Sequence, residues 1–174
     1  MTKFENGPVW QERKETNFIV VHSSLTPASR EDGVEYLRSR HMRQGCVDVG
    51  YHYVIRRNGV IEQGRVLHAM GQHCGDNDID SVGICLIGGG DSKHRPRKAG
   101  PDYTTTQMRS LAHLCLMLVR LYPEAEVCGH NRFASTSKCP LFSVNAWWAD
   151  LSTRLRDLGD SQVVSGFRLR AGKE

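Results

Sequence analysis

The sequence predicts an α/β fold: a single domain with a mixed central β-sheet flanked by helices. Short apolar runs rich in β-branched residues, which are typical of buried strands, alternate with stretches whose apolar residues recur every three or four positions, as in amphipathic helices. The pair Asn58-Gly59 between two short runs predicts an antiparallel hairpin, so the sheet is not purely parallel. The length of 174 residues suits one domain with short tails.

The first elements expected are a strand and a helix. The run Asn17–His22 is short, apolar and β-branched, which indicates a buried strand that ends at a histidine. Ser29 followed by Asp32 resembles the capping box that begins a helix. The helix would run until Gly45, and its inward face would consist of Val34, Leu37 and His41.

A hairpin and a second buried strand follow. Residues 51–57 alternate between apolar and polar, Asn58-Gly59 supplies the turn, and residues 60–63 return. Residues 82–87 predict another buried strand, which the glycines at 88–90 bring to an end.

The last third of the chain predicts two helices around a short strand. Thr104 and Gln107 form a second capping box. The helix after it has an apolar face made of Met108, Leu111, Cys115, Leu118 and Tyr122. Residues 126–129 predict a strand that again ends at a histidine, His130, and residues 144–158 predict the final helix.

Composition and charge limit the classes of function. The net charge of +4 is compatible with an anionic polymer as partner, but the basic residues are dispersed and no nucleic-acid recognition motif is present, so direct nucleic-acid binding is not expected. No run of eighteen apolar residues exists, so no transmembrane segment is expected. We expect an N-terminal extension over 1–16, a catalytic domain over 17–158 and a polar C-terminal tail over 159–174.

The six cysteines are irregularly spaced and form no C-x-x-C pair, which favours reduced thiols over a disulfide framework. Cys85 and Cys115 lie in apolar runs and are expected in the core. The segment before residue 17 has no apolar stretch of a secretory signal, so we expect synthesis in the cytoplasm.

Two strands that each end at a histidine point to a site, because ligands bind beyond the carboxyl ends of strands in open α/β sheets. His22 and His130 occupy equivalent positions, and Cys139 follows nine residues after His130 in a loop able to fold back. Two imidazoles and a thiolate suit zinc with one position left for water. The alternatives are hydrogen-bonded strand-end histidines with an ordinary loop cysteine, or a copper site, which the absence of a methionine close behind Cys139 disfavours.

Several ordered motifs resemble one known family. They are FIVVHSS at 18–24, DVGYHY at 48–53, SVGICLIGG at 81–89, Gly129-His130, Lys138-Cys139-Pro140 and Trp147-Trp148. The chain resembles the zinc-dependent N-acetylmuramoyl-L-alanine amidases, specifically the small phage endolysins of the T-odd coliphage lysozyme type, which are related to peptidoglycan recognition proteins. The resemblance extends from about Asn17 to Trp148.

The resemblance implies that His22, His130 and Cys139 bind one Zn²⁺ ion. It also implies that Tyr51 is catalytic and that the enzyme hydrolyses the amide between N-acetylmuramic acid and L-alanine of the peptidoglycan stem. Zinc would activate water and polarise the scissile carbonyl, and Tyr51 would bond the attacking water or the tetrahedral intermediate. Without the family context, Tyr51 would be an ordinary half-buried strand aromatic.

A cationic or hydroxyl group near Cys139 is also implied. The phage relatives carry a lysine two residues before the cysteine, whereas here Ser137 holds that position and Lys138 is adjacent to Cys139. Lys138 is the first candidate for stabilising the oxyanion and Ser137 the second.

Substrate contacts are expected from His73, which matches a histidine near the family's cleft, and from Asn77 in the same loop. Arg65 and the basic loop 93–98 are candidates for contact with anionic wall polymer, with a solvated surface as the alternative.

Two other functions stay open at this point. A non-catalytic domain that binds muropeptide would have the same fold, although such relatives often lack the cysteine. The resemblance also implies a possible second role as inhibitor of a phage RNA polymerase. A monomer is expected, made without a signal peptide and acting at the cell wall after the membrane is breached.

Overall fold

The computed structural model describes residues 10–30, 32–96 and 103–157. The expected tail 159–174 lies outside these ranges, as do Leu158 and the first nine residues of the expected N-terminal extension. The elements within them are β1 (Phe18–Ser23), β2 (Thr26–Pro27), α1 (Val34–Arg43), β3 (Tyr53–Ile55), β4 (Ile61–Gln63), β5 (Ser81–Leu86), β6 (Gly89–Gly90), α2 (Thr105–Leu121), β7 (Glu126–Gly129) and α3 (Val144–Asp157). No helix in the described ranges is long and apolar enough to cross a bilayer.

The central sheet is mixed, as the sequence predicts. Its strand order is β4-β3-β5-β1-β7. The β3–β4 hairpin is antiparallel, whereas β5 pairs in parallel with β3 and β1, and β1 pairs in parallel with β7. Gly59 in the hairpin turn has a φ of 88°, a backbone conformation that glycine adopts without strain.

The helices cover both faces of the sheet. The larger core lies between the sheet and helices α2 and α3, and it includes Ile19, Ile84 and Leu111. Helix α1 covers the other face through Leu37, which packs with Val54. Because side chains alternate along a strand, Cys85 faces α1 while its neighbour Ile84 faces α2 and α3.

The expected capping box at the start of α1 does not form. The helix begins later, at Val34, with Gly33 as its N-cap residue and no side-chain bond from that position. Instead, the Glu62 carboxylate of β4 accepts the Val34 N–H at 2.7 Å. The sequence separation of 28 residues puts this cap beyond the reach of a local motif.

The glycines after β5 do more than end the strand. Gly89–Gly90 forms β6, which pairs in parallel with β2. A Cβ on Gly90 would lie 1.9 Å from the Leu25 carbonyl oxygen, so the two segments approach too closely for any side chain there.

Gln107 connects α2 to the ends of two strands. The predicted capping box is present, since Thr104 Oγ1 accepts the Gln107 N–H and Gln107 Oε1 accepts the Thr104 N–H, both at 3.1 Å. The Gln107 amide is fully buried, and its Nε2 donates to the carbonyls of Ile55 at 3.2 Å and Ile87 at 2.8 Å. The residue therefore fixes the helix start against the carboxyl ends of β3 and β5.

We expect Gln107→Met to lower the free energy of unfolding by about 2–4 kcal/mol, because two buried carbonyls lose their donors. Thr104→Val removes the cap acceptor together with the hydrogen bond that Thr104 Oγ1 donates to the Arg57 carbonyl at 2.7 Å, and should cost about 1–2 kcal/mol. Urea unfolding followed by circular dichroism measures both losses. Equal losses in the two variants would show that the cap alone accounts for the effect.

Candidate functional site

The register of the sheet places His22 and His130 side by side. β1 pairs with β7 as far as Val21 and Gly129, so the next position on each strand is one of the two histidines. The His22 side chain faces the α1 side of the sheet, because it lies opposite Cys85, which packs with Leu37 of α1. His130 directly follows β7 as the first residue of a short 3₁₀ helix. The ring centroids of His22 and His130 are 4.6 Å apart.

Cys139 joins them because its loop folds back over the end of β1. The Asn131 N–H donates to the Cys139 carbonyl at 2.9 Å, which closes the loop that begins at His130. The Ser23 N–H donates to the Cys139 sulfur at 3.1 Å, which holds the side chain at the end of β1. One potential ligand atom each from His22, His130 and Cys139 then lies within 4.8 Å of the other two.

This donor set fits a zinc ion. The three donor atoms lie within 4.8 Å of one another, and imidazole nitrogen and thiolate sulfur are the donors that zinc prefers. Burial holds the pKa of His22 well below its usual value and lowers the pKa of His130, so both rings keep a lone pair for a metal. Burial raises the pKa of the Cys139 thiol to about 11, although the Ser23 N–H favours the thiolate. A cation at this position would favour the thiolate further.

No other group of three or more such side chains converges in the described part of the chain. The structure brings together the three residues that the sequence singles out. Their identity as metal ligands remains a prediction.

His73 borders the same cavity as His22, but neighbouring groups cover its side chain. Its side chain has no exposed surface, and its Nδ1 is 3.0 Å from His22 Nε2. Burial, with the charges of His130 and Arg65 acting in the same direction, lowers the pKa of His73 to about 3. His73 therefore contacts the histidine cluster directly, and its contact with substrate stays a prediction.

Tyr51 lies beside the cluster, directly before His52 at the start of the hairpin. Its ring centroid is 5.2 Å from that of His22 and 5.4 Å from that of His41. Burial raises the pKa of the Tyr51 hydroxyl well above its usual value, and the Cys85 and Cys139 thiols act in the same direction. The hydroxyl therefore stays protonated and able to donate a hydrogen bond.

Helix α1 supplies part of the site that the sequence analysis does not assign. A cavity of about 300 Å³ lies over the three clustered residues and Tyr51, and it is lined by Leu37, Arg40 and His41 of α1 and by Gln44, the C-cap residue of that helix. Arg40 donates to the Ser24 carbonyl at 3.0 Å, and His41 Nδ1 accepts the Gly50 N–H at 2.9 Å. The helical spacing of these residues from Leu37 is a signal that predicts their common face.

The two candidates next to Cys139 occupy different places. Ser137 lines the cavity, and its Oγ accepts the Cys139 N–H at 3.2 Å. Lys138 is exposed and lines an adjoining groove of about 870 Å³, which Ser137 also borders. Asn77 lies on a short 3₁₀ helix, Gly75–Asp80, and is in the lining of neither.

The structure corrects the expectation that Arg65 faces an anionic polymer. Arg65 is buried, and its guanidinium donates to the carbonyls of Val49 at 3.0 Å and Met70 at 2.7 Å. The Trp10 ring lies over it at 4.5 Å. Arg65 therefore ties together loops that flank the site. In the basic loop, Arg95 pairs with Asp91 at 2.7 Å, and Arg97 and Lys98 lie outside the described residues.

Comparison with known proteins identifies one family. Residues 12–141 match a family described as N-acetylmuramoyl-L-alanine amidase. The chain is 40% identical over 136 residues to the endolysin of Klebsiella phage KP32, a match that covers 78% of this chain and 87% of that protein. It is 38% identical over 139 residues to the endolysin of Escherichia phage T7, covering 80% of this chain and 89% of that protein.

Solved structures share the fold at lower identity. The N-acetylmuramoyl-L-alanine amidase LysC from Clostridium intestinale URNW superposes with a TM-score of 0.66 at 22% identity, covering 87% of this chain and 95% of that one. Wild-type Drosophila PGRP-LB superposes with a TM-score of 0.65 at 22% identity, covering 83% and 85%. The predicted fold class, a mixed sheet of the amidase and recognition-protein type, is confirmed.

Proposed function

This chain belongs to the N-acetylmuramoyl-L-alanine amidase family and hydrolyses peptidoglycan in phage lysis, and we propose that it does so at one zinc ion held by His22, His130 and Cys139. The observation that carries the proposal is the convergence of these three side chains within 4.8 Å at the floor of a cavity. Three ligands leave a fourth tetrahedral position for water, which is the arrangement of a catalytic rather than a structural zinc site.

The bond cleaved is the amide between the lactyl group of N-acetylmuramic acid and L-alanine. A zinc ion bound here would supply a Lewis acid that polarises the scissile carbonyl and lowers the pKa of a water molecule. The protein holds its two histidines neutral by burial and orients Cys139 through the Ser23 N–H. The two histidines are thus available as neutral donors, and the Cys139 sulfur is held in place, before substrate binds.

Tyr51 acts as a hydrogen-bond donor in this proposal. Its raised pKa excludes a role as general base near neutral pH, because the phenolate is not populated there. Tyr51 lines the cavity, and in this proposal its protonated hydroxyl exchanges its hydrogen bond to the Cys85 thiol for one to the carbonyl oxygen as that oxygen gains negative charge.

Ser137 and Lys138 have different roles in this proposal. Ser137 lines the cavity and presents a hydroxyl beside Cys139, which supports a role at the reacting carbonyl. Lys138 lines the adjoining groove and is exposed, which supports a role in binding the muropeptide before reaction.

The alternative of a domain that binds muropeptide without cleaving it is less well supported. Such a domain needs no cluster of neutral imidazoles and a thiol at its floor, and this chain combines Cys139 with both histidines. Binding of a phage RNA polymerase and the monomeric state remain predictions of the resemblance.

Removal of the metal should abolish the activity. Digestion of purified peptidoglycan is expected to release new amino termini of L-alanine, and a chelator or the change Cys139→Ala should stop the release. Cys46→Ala, a change to a half-buried thiol outside the cavity lining, is the control and should leave the rate unchanged. New reducing ends without new amino groups would identify a glycosidase and contradict the proposal.

We expect Tyr51→Phe to lower kcat/KM by about 10²–10³-fold, the usual effect of removing one oxyanion donor. The phenyl ring keeps the packing against α1, so zinc content should not change. Tyr53→Phe is the matched control, since Tyr53 packs in the opposite core and is absent from the cavity lining. A Tyr51→Phe enzyme with the wild-type rate would remove Tyr51 from the mechanism.

Steady-state kinetics should separate Ser137 from Lys138. Ser137→Ala is expected to reduce kcat with little change in KM, because it removes a hydroxyl at the reacting carbonyl. Lys138→Ala is expected to raise KM with kcat nearly unchanged, because it removes a charge from the groove. The reverse pattern would assign the oxyanion to Lys138.

A further inference from the structure

The side chain of His73 is buried, and the residues around it restrict its ring to one orientation. Its side chain has no exposed surface, and its ring stands edge-on to that of His22 with centroids 5.0 Å apart. A Cβ added to Gly71 would lie 2.4 Å from His73 Cδ2, and one added to Gly83 would lie 2.5 Å from the same atom. The ring therefore packs against two glycines that admit no larger side chain.

The backbone of His73 is also fixed. The Asp78 carboxylate accepts the His73 N–H at 2.7 Å and the Cys74 N–H at 2.8 Å. The same carboxylate lies 3.6 Å from His73 Nε2. Asp78 thus holds the backbone, and packing against the two glycines holds the ring, which leaves His73 Nδ1 3.0 Å from His22 Nε2.

We propose that His73 is a positioning residue, which holds His22 with the Nδ1 atom of that ring directed at the metal. The inference rests on the proposed zinc centre and gives His73 a role other than contact with substrate.

The direction of the hydrogen bond follows from the chemistry of imidazole. A neutral ring carries one N–H, and a metal binds the nitrogen that lacks it. Because His22 Nε2 is bonded to His73, the proton of a metal-binding His22 belongs on Nε2, from which it donates to His73 Nδ1. His73 then carries its own proton on Nε2, which lies 3.6 Å from the Asp78 carboxylate, beyond hydrogen-bond distance. Hydrogen bonds of this kind orient metal-binding histidines and strengthen them as ligands.

The test compares His73→Phe with His73→Asn. Phe keeps a flat ring between the two glycines but offers no acceptor, whereas the Asn side-chain oxygen can occupy the place of Nδ1 and accept the same proton. Zinc affinity, measured by competition with a chromophoric chelator, should fall about 10–100-fold in His73→Phe and return to within a few-fold of wild type in His73→Asn.

A merely structural role predicts a different result. Gln107→Met is the control for lost stability, since Gln107 lies in the lining of neither the cavity nor the groove. Its zinc affinity should equal that of wild type. The rise in Tm on adding zinc should shrink in His73→Phe relative to wild type and stay unchanged in Gln107→Met.

His73→Phe with wild-type zinc affinity would overturn the proposal. Should His73→Phe fail to fold, ¹⁵N NMR of wild-type imidazoles decides, because the proposal requires the His73 proton on Nε2 and a proton on Nδ1 overturns it. Failure of the proposed amidase function can be distinguished from failure of the proposal for His73. A wild-type chain that binds zinc but does not cleave peptidoglycan refutes the amidase mechanism alone, and a wild-type chain that binds no zinc refutes both.

Discussion

The site depends on the parallel register of β1 with its two neighbours. β1 pairs with β5 so that His22 lies opposite Cys85, and with β7 so that the strand positions after Val21 and Gly129 are adjacent. Because side chains alternate, a slip of one residue in either pair would turn a histidine to the face covered by α2 and α3. The apolar side chains of Ile19, Val82 and Val127 oppose such a slip, since each would leave the larger core. Hydrophobic burial on one face thus sets the geometry of the polar cluster on the other.

The α1 face of the sheet carries small side chains where the site needs space. Gly83 lies beside Val20 in the register, and the absence of its side chain admits the His73 ring against the strand. Cys85, next along β5, is fully buried and lies opposite His22. Along β5 the large side chains of Ile84 and Leu86 thus point into the core under α2 and α3. The smaller Gly83 and Cys85 point to the α1 face, where they leave room for the rings of the site.

The parts of the molecule that the sequence predicts are those that local pattern controls. The hairpin and the Thr104–Gln107 box follow from adjacent residues, and the structure contains both. The two predicted strands are also present, although β1 continues one residue past His22 and β7 ends one residue before His130. The interactions that the sequence does not reveal join distant segments. Glu62 caps α1 from 28 residues away, and the Arg65 guanidinium, charged like a surface residue, satisfies buried carbonyls. The sequence pattern around these two residues does not show whether a charged side chain is buried in such contacts or exposed to solvent.

The donor groups of the proposed zinc site differ in charge, and this difference bears on how the site would hold a metal. A divalent ion held by three neutral ligands would place its full charge in a region that burial makes hostile to ions, as the lowered pKa of His73 indicates. One thiolate at Cys139 halves that charge while leaving enough to attract a developing oxyanion. The buried Asp78 carboxylate supplies a second negative charge close to His73 but does not belong to the ligand cluster. In the proposed site the metal charge would therefore be offset partly by Cys139 and partly by Asp78, with the fourth ligand position left free.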